Sequence, residues 1–390
     1  MESTGSRDHH TEPLLIVSPS ATFRGGADGS LLHLLRRFRQ FPQPLIVVFL
    51  ESGPLVEEAR SLGLPFHLIE AGRLREFKRL LFSVTRLSQL ITDLRPSVVL
   101  SWQAKAHIYA SAAATLARTS AKLVYFQKNT PDRSWLSRLI RVLPATGALA
   151  CSEYVATRER ALTRFPVLAV PSASEFVELS QSAIESLRAE GKKLRVTLPL
   201  PEGCKIAIMV GRLQSWKGFH AFVQAIATLR QEGLNIAGII VGGSDAHESN
   251  YEPVLRDFIE SLGLTRHIYL AGSQSSVATW FLAADLFVHA SREEPFGQVI
   301  LEAMALGVPV IACRPGGPEE IVTHGQDGLL YKHGRQNELV NFMRQLALDS
   351  ELCLRYGQQA QASARRFAPR IFLTRLHAAL AELPGASPDA

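Results

Sequence analysis

The hydrophobic positions of this chain fall into short unbroken runs separated by stretches of helical spacing. In the first half the runs are LLIVS (14–18), PLIVVFL (44–50), FHLIE (66–70), SVVLSW (97–102), KLVYFQ (122–127), ALACS (148–152) and VLAV (167–170). In the second half they are KIAIMVG (205–211), AGIIVGG (237–243), HIYLAG (267–272), LFVHAS (286–291), VPVIAC (308–313) and GLLY (328–331). A strand with one wet face alternates apolar and polar residues, whereas these runs do not alternate and suit strands covered on both faces. Segments such as SLLHLLRRF, HIYASAAATLAR and GFHAFVQAIATLRQEG lie between them, with apolar residues recurring every three or four positions. Strand–helix alternation of this kind predicts α/β architecture with parallel sheets.

A chain of 390 residues exceeds one ordinary core. The run of sheet-like segments is interrupted over 171–204, which carries Ser, Glu and Pro and no strand pattern. The expectation is two Rossmann-like domains facing across a cleft, 1–185 and 186–365. The amphipathic end of the chain, 366–390, is expected to pack back on the first domain.

Composition adds little to this picture. Hydrophobic residues are 46% and charged residues 20%, ordinary for a soluble globular protein. The four cysteines, Cys151, Cys204, Cys313 and Cys353, have neither pairing nor metal-ligand spacing and read as reduced thiols. The N-terminus MESTGSRDHHTEP lacks the apolar core of a signal peptide, and no run is long enough to span a membrane, so a cytoplasmic location is expected.

Charge is distributed unevenly. Residues 1–190 hold 23 Lys and Arg against 17 Asp and Glu, and residues 191–390 hold 19 of each. The whole +6 excess therefore belongs to the first half, which fits either an anionic partner or a well-solvated face. No nucleic-acid partner is expected. Within that half, RLREFKRLLFSVTRLSQL (73–90) mixes Arg73, Arg75, Lys78, Arg79 and Arg86 with Leu, Phe and Val. It suits peripheral contact with the anionic inner face of a membrane. It also suits an ordinary amphipathic helix packed on the first domain, and both readings stand.

Three segments carry candidate chemistry. The first is EEPFGQVILEAMALG (293–307): strand, glycine turn and helix start, where free amides and the positive end of the helix dipole can hold a phosphate. Glu302 sits among apolar neighbours in that helix, a costly place for a carboxylate unless paired, and a ribose diol would pair with it. Glu294, just ahead of the helix, can take sugar hydroxyls. Both glutamates can equally serve as a dipole partner and a salt bridge. In the second segment, MVGRLQSWKG, Arg212 and Lys217 flank a turn after a strand, where two cations can neutralise a diphosphate. The third is FRGGADG, whose Gly25 and Gly26 allow close approach of backbone to ligand; it is neither a P-loop nor a GxGxxG dinucleotide fingerprint.

Together these segments resemble the retaining glycosyltransferases of the large GT-B family called family 4. The matching residues are Gly211-Arg212-Leu213…Lys217-Gly218, Glu294-Pro295-Phe296-Gly297…Glu302-Ala303-Met304-Ala305 and Gly316-Gly317-Pro318-Glu319-Glu320-Ile321-Val322. The match is specific over about 205–332. The resemblance implies transfer of a sugar from a UDP- or GDP-sugar to a glycan or lipid-linked acceptor, as in cell-surface polysaccharide synthesis. Arg212 and Lys217 would hold the diphosphate, Glu302 the ribose and Glu294 the transferred sugar. The backbone of Phe296, Gly297, Gln298 and Val299 would line the donor cleft, Gly26 would close on the phosphates, and Ser273 would lie by the base. Such enzymes usually place a His after the strand matching KLVYFQ, lining the acceptor side; here Lys128 holds that place. His107 is a possible substitute, although a histidine on an Ala-rich helix is also an ordinary structural residue.

No covalent nucleophile is apparent, so catalysis would rest on positioning and leaving-group charge. No D-x-D triplet occurs, so neither a metal nor another cofactor is expected beyond the nucleotide-sugar substrate. A sugar-nucleotide epimerase of the same fold, and a sugar-nucleotide-binding partner subunit with weakened catalysis, are the alternatives.

Overall fold

Every apolar run read as a strand is one. The computed structural model describes residues 12–22, 26–72, 76–132, 134–244 and 248–385. It divides into two units: one built from residues up to Pro171 and from Phe372 onward, the other from Ser172–Ile371.

In the first unit the chain runs β1 (Leu14–Ser18), α1 (Gly26–Arg36), β2 (Leu45–Phe49), α2 (Pro54–Ser61), β3 (Phe66–Leu68), α3 (Phe77–Leu94), β4 (Val98–Trp102), α4 (Ala104–Ala117), β5 (Lys122–Gln127), α5 (Trp135–Val142), β6 (Gly147–Ala150), α6 (Glu153–Arg160) and β7 (Val167–Ala169). The strands are all parallel, in the order β3-β2-β1-β4-β5-β6-β7. Every residue of β1 and β4 is buried, which is why these strands read as continuous apolar runs. Leu87 and Ile91 of α3 pack with Ala106, Tyr109, Ala110 and Ala113 of α4; the alanines let the two helices approach closely over the sheet.

In the second unit the elements are α7 (Gln181–Thr197), β8 (Lys205–Val210), α8 (Phe219–Gln231), β9 (Ile236–Val241), α9 (Tyr251–Ser261), β10 (Ile268–Gly272), α10 (Ala278–Ala283), β11 (Leu286–His289), α11 (Gln298–Ala305), β12 (Val310–Arg314), α12 (Pro318–Ile321), β13 (Leu329–Lys332), α13 (Gln336–Leu348) and α14 (Ser350–Ala364). The sheet is parallel, β10-β9-β8-β11-β12-β13. Each sheet thus begins at its middle, winds one way for three strands, then reverses: the doubly wound Rossmann order, whose ligand crevice lies at the carboxyl ends of the two strands flanking the reversal. In the second unit those strands are β8 and β11. Helices α8, α9 and α13 pack with one another on one face; α7, α10, α11 and α14 pack in neighbouring pairs on the other.

The last helix, α15 (Pro369–Glu382), counts with the first unit from Phe372 onward. Lys122 at the start of β5 donates to the carbonyls of Leu380 and Ala381, 3.0 Å each, and to that of Leu383. A cation on the orphan carbonyls of a helix end is favourable. No helix among the described residues is long and apolar enough to cross a membrane.

The stretch read as a break holds α7, capped by the Ser180 hydroxyl on the amide of Ala183. The boundary expected at 185 cuts this helix; the units divide instead at Pro171/Ser172 and again at Ile371/Phe372, and α7 packs against α10 within the second. The contact is made at Gly191, where a Cβ would stand 2.7 Å from the carbonyl carbon and 2.8 Å from the oxygen of Leu282. Alanine is the better helix former by about 1 kcal/mol, yet Gly191→Ala is expected to destabilise by about 1–3 kcal/mol through overpacking against rigid backbone. A raised melting temperature by circular dichroism would contradict this account.

Candidate functional site at the carboxyl edge of the second sheet

The strand β11 ends in His289-Ala290-Ser291. Alternation along the strand sends Ala290 into the core beneath α8, with Val288, and turns His289 to the opposite face. There His289 Nε2 lies 3.0 Å from Glu294 Oε2, and Ser291 Oγ lies 3.1 Å from the same nitrogen. Lys217 Nζ, arriving from the turn after β8, donates to Glu294 Oε2 at 2.8 Å. The Lys217 and Glu294 side chains keep only 14% and 13% of their exposure. Burial opposes charge on Glu294, but the Lys217 ammonium and the His289 bond outweigh it and hold the carboxyl well below the usual carboxylate range. A carboxylate fixed in its ionised form is an acceptor for hydroxyl donors.

Backbone geometry brings these side chains together. Gly218 follows Lys217 with φ +85°, and a Cβ there would come within 2.1 Å of the Ala290 carbonyl oxygen. Only glycine allows the turn to press on β11 this closely. The Arg292 amide donates to the Trp216 carbonyl at 2.8 Å, joining the same two loops. From the other side, the Gly317 amide donates to the Glu294 carbonyl at 2.9 Å.

Phe296 is buried edge-on to the Phe367 ring, 5.8 Å away, and Gly297 caps α11 without a side chain. The first amides of α11, beginning at Gln298 and Val299, have no acceptor within the helix, the kind of end that can hold an anion. Gln298 Nε2 donates to the Ala173 carbonyl at 2.8 Å, and its Oε1 is buried without a hydrogen-bond partner among the described residues. One turn on, Glu302 is pushed up to about 7 by burial, a rise partly offset by its hydrogen bond with Gln298. Glu294 and Glu302 therefore face opposite electrostatics: the first is held ionised by a partner, the second is half-protonated near neutrality.

The remaining candidates are spread over the fold. Arg212 follows β8 and is exposed. Ser273 is exposed just past β10, at the sheet edge, and lies against Gly243 after β9. In the first unit Gly26 opens α1, and Gly25 lies outside the described residues. His107 is fully buried on α4, its Nδ1 3.5 Å from Ser101 Oγ and its ring 4.9 Å from that of Tyr125. Burial lowers it to about 4, so it is neutral. Lys128, just after β5, is buried with its Nζ 3.4 Å from the ring centroid of Phe126 and 4.5 Å from that of Trp102. That nitrogen has no hydrogen-bond partner among the described residues. Among the same residues no group of three or more His, Cys, Asp or Glu is placed to hold a metal ion.

The sequence marks His289 and Ser291 only as the end of a strand-like run. The available signal was polar residues at alternate positions closing an otherwise apolar strand beside a glutamate.

Residues 191–363 match the model of the family described as glycosyl transferases group 1. That span contains Arg212, Lys217, His289, Glu294 and Glu302. The chain is 32% identical over 199 residues to D-inositol 3-phosphate glycosyltransferase of Corynebacterium jeikeium, covering 50% of this chain and 48% of the relative. It is 30% identical over 165 residues to the lipopolysaccharide core biosynthesis glycosyltransferase LpsE of Rhizobium meliloti, covering 42% and 46%. The chain thus spans about half the length of the curated relatives it matches. Among solved structures it resembles Anabaena Alr3699/HepE in complex with UDP and glucose, with TM-score 0.81, 24% identity and coverage of 95% of this chain and 100% of that one. A glycosyltransferase from Rickettsia africae gives TM-score 0.77 at 18% identity, covering 95% and 99%. These structural likenesses bear on the fold: two parallel-sheet Rossmann-like domains of the GT-B kind.

The electrostatics of Lys128 lead to a measurable effect. Burial lowers its ammonium from the ordinary 10.5 to about 7, against a smaller opposing effect of Cys151. Between those two values the unfolded chain holds a proton that the folded one has released, so stability climbs as pH rises through that window. Lys128→Met is expected to raise the melting temperature at pH 6 by about 4 °C or more and to flatten the alkaline rise. Equal melting curves for both proteins from pH 6 to pH 10 would overturn the assignment.

Proposed function

We propose that this protein is a retaining glycosyltransferase of family 4 that moves a sugar from a nucleotide-sugar donor to a glycan or lipid-linked saccharide in cell-surface polysaccharide synthesis, on the cytoplasmic side. The observation that carries the reading is the Lys217–Glu294–His289 cluster at the β8/β11 reversal, beside the open amide end of α11. Arg212, Lys217 and that helix end are assigned to the diphosphate, and Gly26 is assigned to the phosphates as well. Glu294, locked as an anion, is assigned to hydroxyls of the transferred sugar, and Ser273 to the base. Glu302 is assigned to the ribose: diol hydroxyls donating to its carboxylate would draw its pKa down and release a proton on binding. Lys128 and His107 stay on the acceptor side, Lys128 as a near-neutral amine whose charge follows the local field.

With Glu294 occupied by Lys217 and His289, the chemistry assigned is attack on the face the leaving diphosphate vacates. The diphosphate takes the acceptor's proton while the cations stabilise its charge. No obligate divalent metal is assigned. The glycosyltransferase relatives favour this reading over the epimerase. HepE's complexes with UDP and UDP-glucose make uridine nucleotides the first to test.

A thermal-shift panel of nucleoside diphosphates and nucleotide sugars tests the donor site. At about 100 times Kd a ligand adds about 2.7 kcal/mol, or about 5–10 °C for a unit of this size. Glu294→Gln is expected to keep the shift given by the nucleoside diphosphate, to lose the further shift given by the sugar, and to cut transfer at least about 100-fold. Undiminished turnover in that variant would refute the role of Glu294.

Peripheral membrane contact is the second part of the proposal. The start of α3 exposes Phe77 (73%), Leu81 (53%) and Phe82 (64%) beside the exposed Lys78 and Arg79, while Ser83, Leu87 and Ile91 are buried. The helix thus packs through its later turns and presents an apolar, cationic first turn; Arg73 and Arg75 lie outside the described residues. In flotation with anionic phosphatidylglycerol vesicles, salt-sensitive binding weakened by Phe77→Ser with Phe82→Ser is expected. Equal recovery with neutral and anionic vesicles, or none with either, would sink the idea.

A further inference from the structure

A second concavity lies at the same edge of the second sheet, on the opposite face. Its volume is about 290 Å³, near the lower end of ligand pockets. Alternation along β11 separates the two places. His289 and Ser291 turn toward Glu294 and α11, whereas Ala290 faces α8 and α13 and forms part of the wall of this cavity. The proposed donor functions therefore do not use it.

The lining is chemically one-sided. It carries two potential cations, Arg292 and His333, the indole of Trp216, the Ser215 hydroxyl and the Gln336 amide, and no carboxylate. Nearby carboxylates are turned to backbone: Glu248 accepts from the amide of the lining residue Ser215 at 2.8 Å, and Glu338, in the first turn of α13, from the Lys332 amide at 3.0 Å. Two thirteen-residue helices, α8 and α13, begin at the wall, through Gly218 and Ala221 for one and Gln336 for the other. Neither has a side-chain cap, in contrast to α5, α6, α7 and α14, which are capped by Ser134, Ser152, Ser180 and Asp349. Gln336 Nε2 donates to the Ala221 carbonyl at 2.8 Å and holds the two starts together. A walled volume with a guanidinium, an imidazole and two uncapped helix ends, and without lining carboxylates, selects an oxyanion. The indole adds a flat apolar wall for the ligand's body.

We propose that this cavity is a second binding site, for a small phosphoryl-bearing molecule, back to back with the Lys217–Glu294 cluster. The two places share a loop: Trp216 lines the cavity, while the next residue, Lys217, binds Glu294 and holds its Nζ 4.1 Å from the Trp216 ring centroid. The Arg292 amide bonded to the Trp216 carbonyl spans the same gap. A ligand in the cavity thus touches the loop that sets the position of Lys217.

Inorganic pyrophosphate is the probe, titrated calorimetrically into three full-length proteins. Arg212→Ala removes an exposed cation of the donor face while leaving the Lys217–Glu294 pair in place, and is expected to leave one binding event intact. Arg292→Ala with His333→Ala, both exposed positions, is expected to weaken that event at least about ten-fold without lowering the melting temperature. Binding that survives the Arg292 and His333 changes, or that vanishes with the Arg212 change, overturns the proposal, as does absence of any binding to the unaltered protein. These outcomes are read without a nucleotide sugar, so failure here and failure of the glycosyltransferase reading are separately visible.

Discussion

In the second unit one ion pair, Lys217 with Glu294, is taken largely out of water. Lys217 and Glu294 meet at 2.8 Å with most of each side chain buried. Desolvating two charges is expensive, and their attraction offsets the cost only when geometry and further hydrogen bonds are good. Here His289 and Ser291 supply the further bonds, and backbone supplies the geometry. The Lys217–Gly218 turn is pressed against the Ala290 carbonyl, and the Glu294 loop is tied to Gly317. An ammonium and a carboxylate so fixed keep their geometry without any ligand.

The same strand end shows how a sheet separates two environments one residue apart. His289 and Ser291 join the polar cluster around Glu294; Ala290, between them, belongs to the core under α8 and α13 and to the wall of the second cavity. The loop Ser215–Gly218 runs past both, contributing Lys217 to one and Trp216 to the other. Any shift of that loop is felt on both faces because closely packed backbone transmits displacement rather than absorbing it.

Lys128 is the counterpoint to Lys217. Its ammonium has aromatic faces for neighbours, at 3.4 Å and 4.5 Å, and no hydrogen-bond partner among the described residues. Ring quadrupoles attract a cation but do not replace its hydration, so its proton is loosely held near neutral pH. Lys217 has a carboxylate partner and Lys128 has only aromatic rings.

The thirteen strands and the parallel α/β class were legible because strands covered on both faces must be continuously apolar, whatever the rest of the chain does. The pairing of Arg212, Lys217, Glu294 and Glu302 with a helix start after a strand was legible for a similar reason: local order along the chain places a turn and free amides together. What sequence could not supply was the company each side chain keeps. Lys217 and Glu294 are 77 residues apart and are joined because β8 and β11 are neighbours in the sheet. His289 ends β11, and only register and alternation aim it at Glu294. The packing of α7 on α10 through Gly191 is a contact that local pattern does not encode. Local periodicity determined the elements; long-range adjacency, available only once the sheets had closed, decided which charges were paired, which were buried alone and which carboxylate stays ionised.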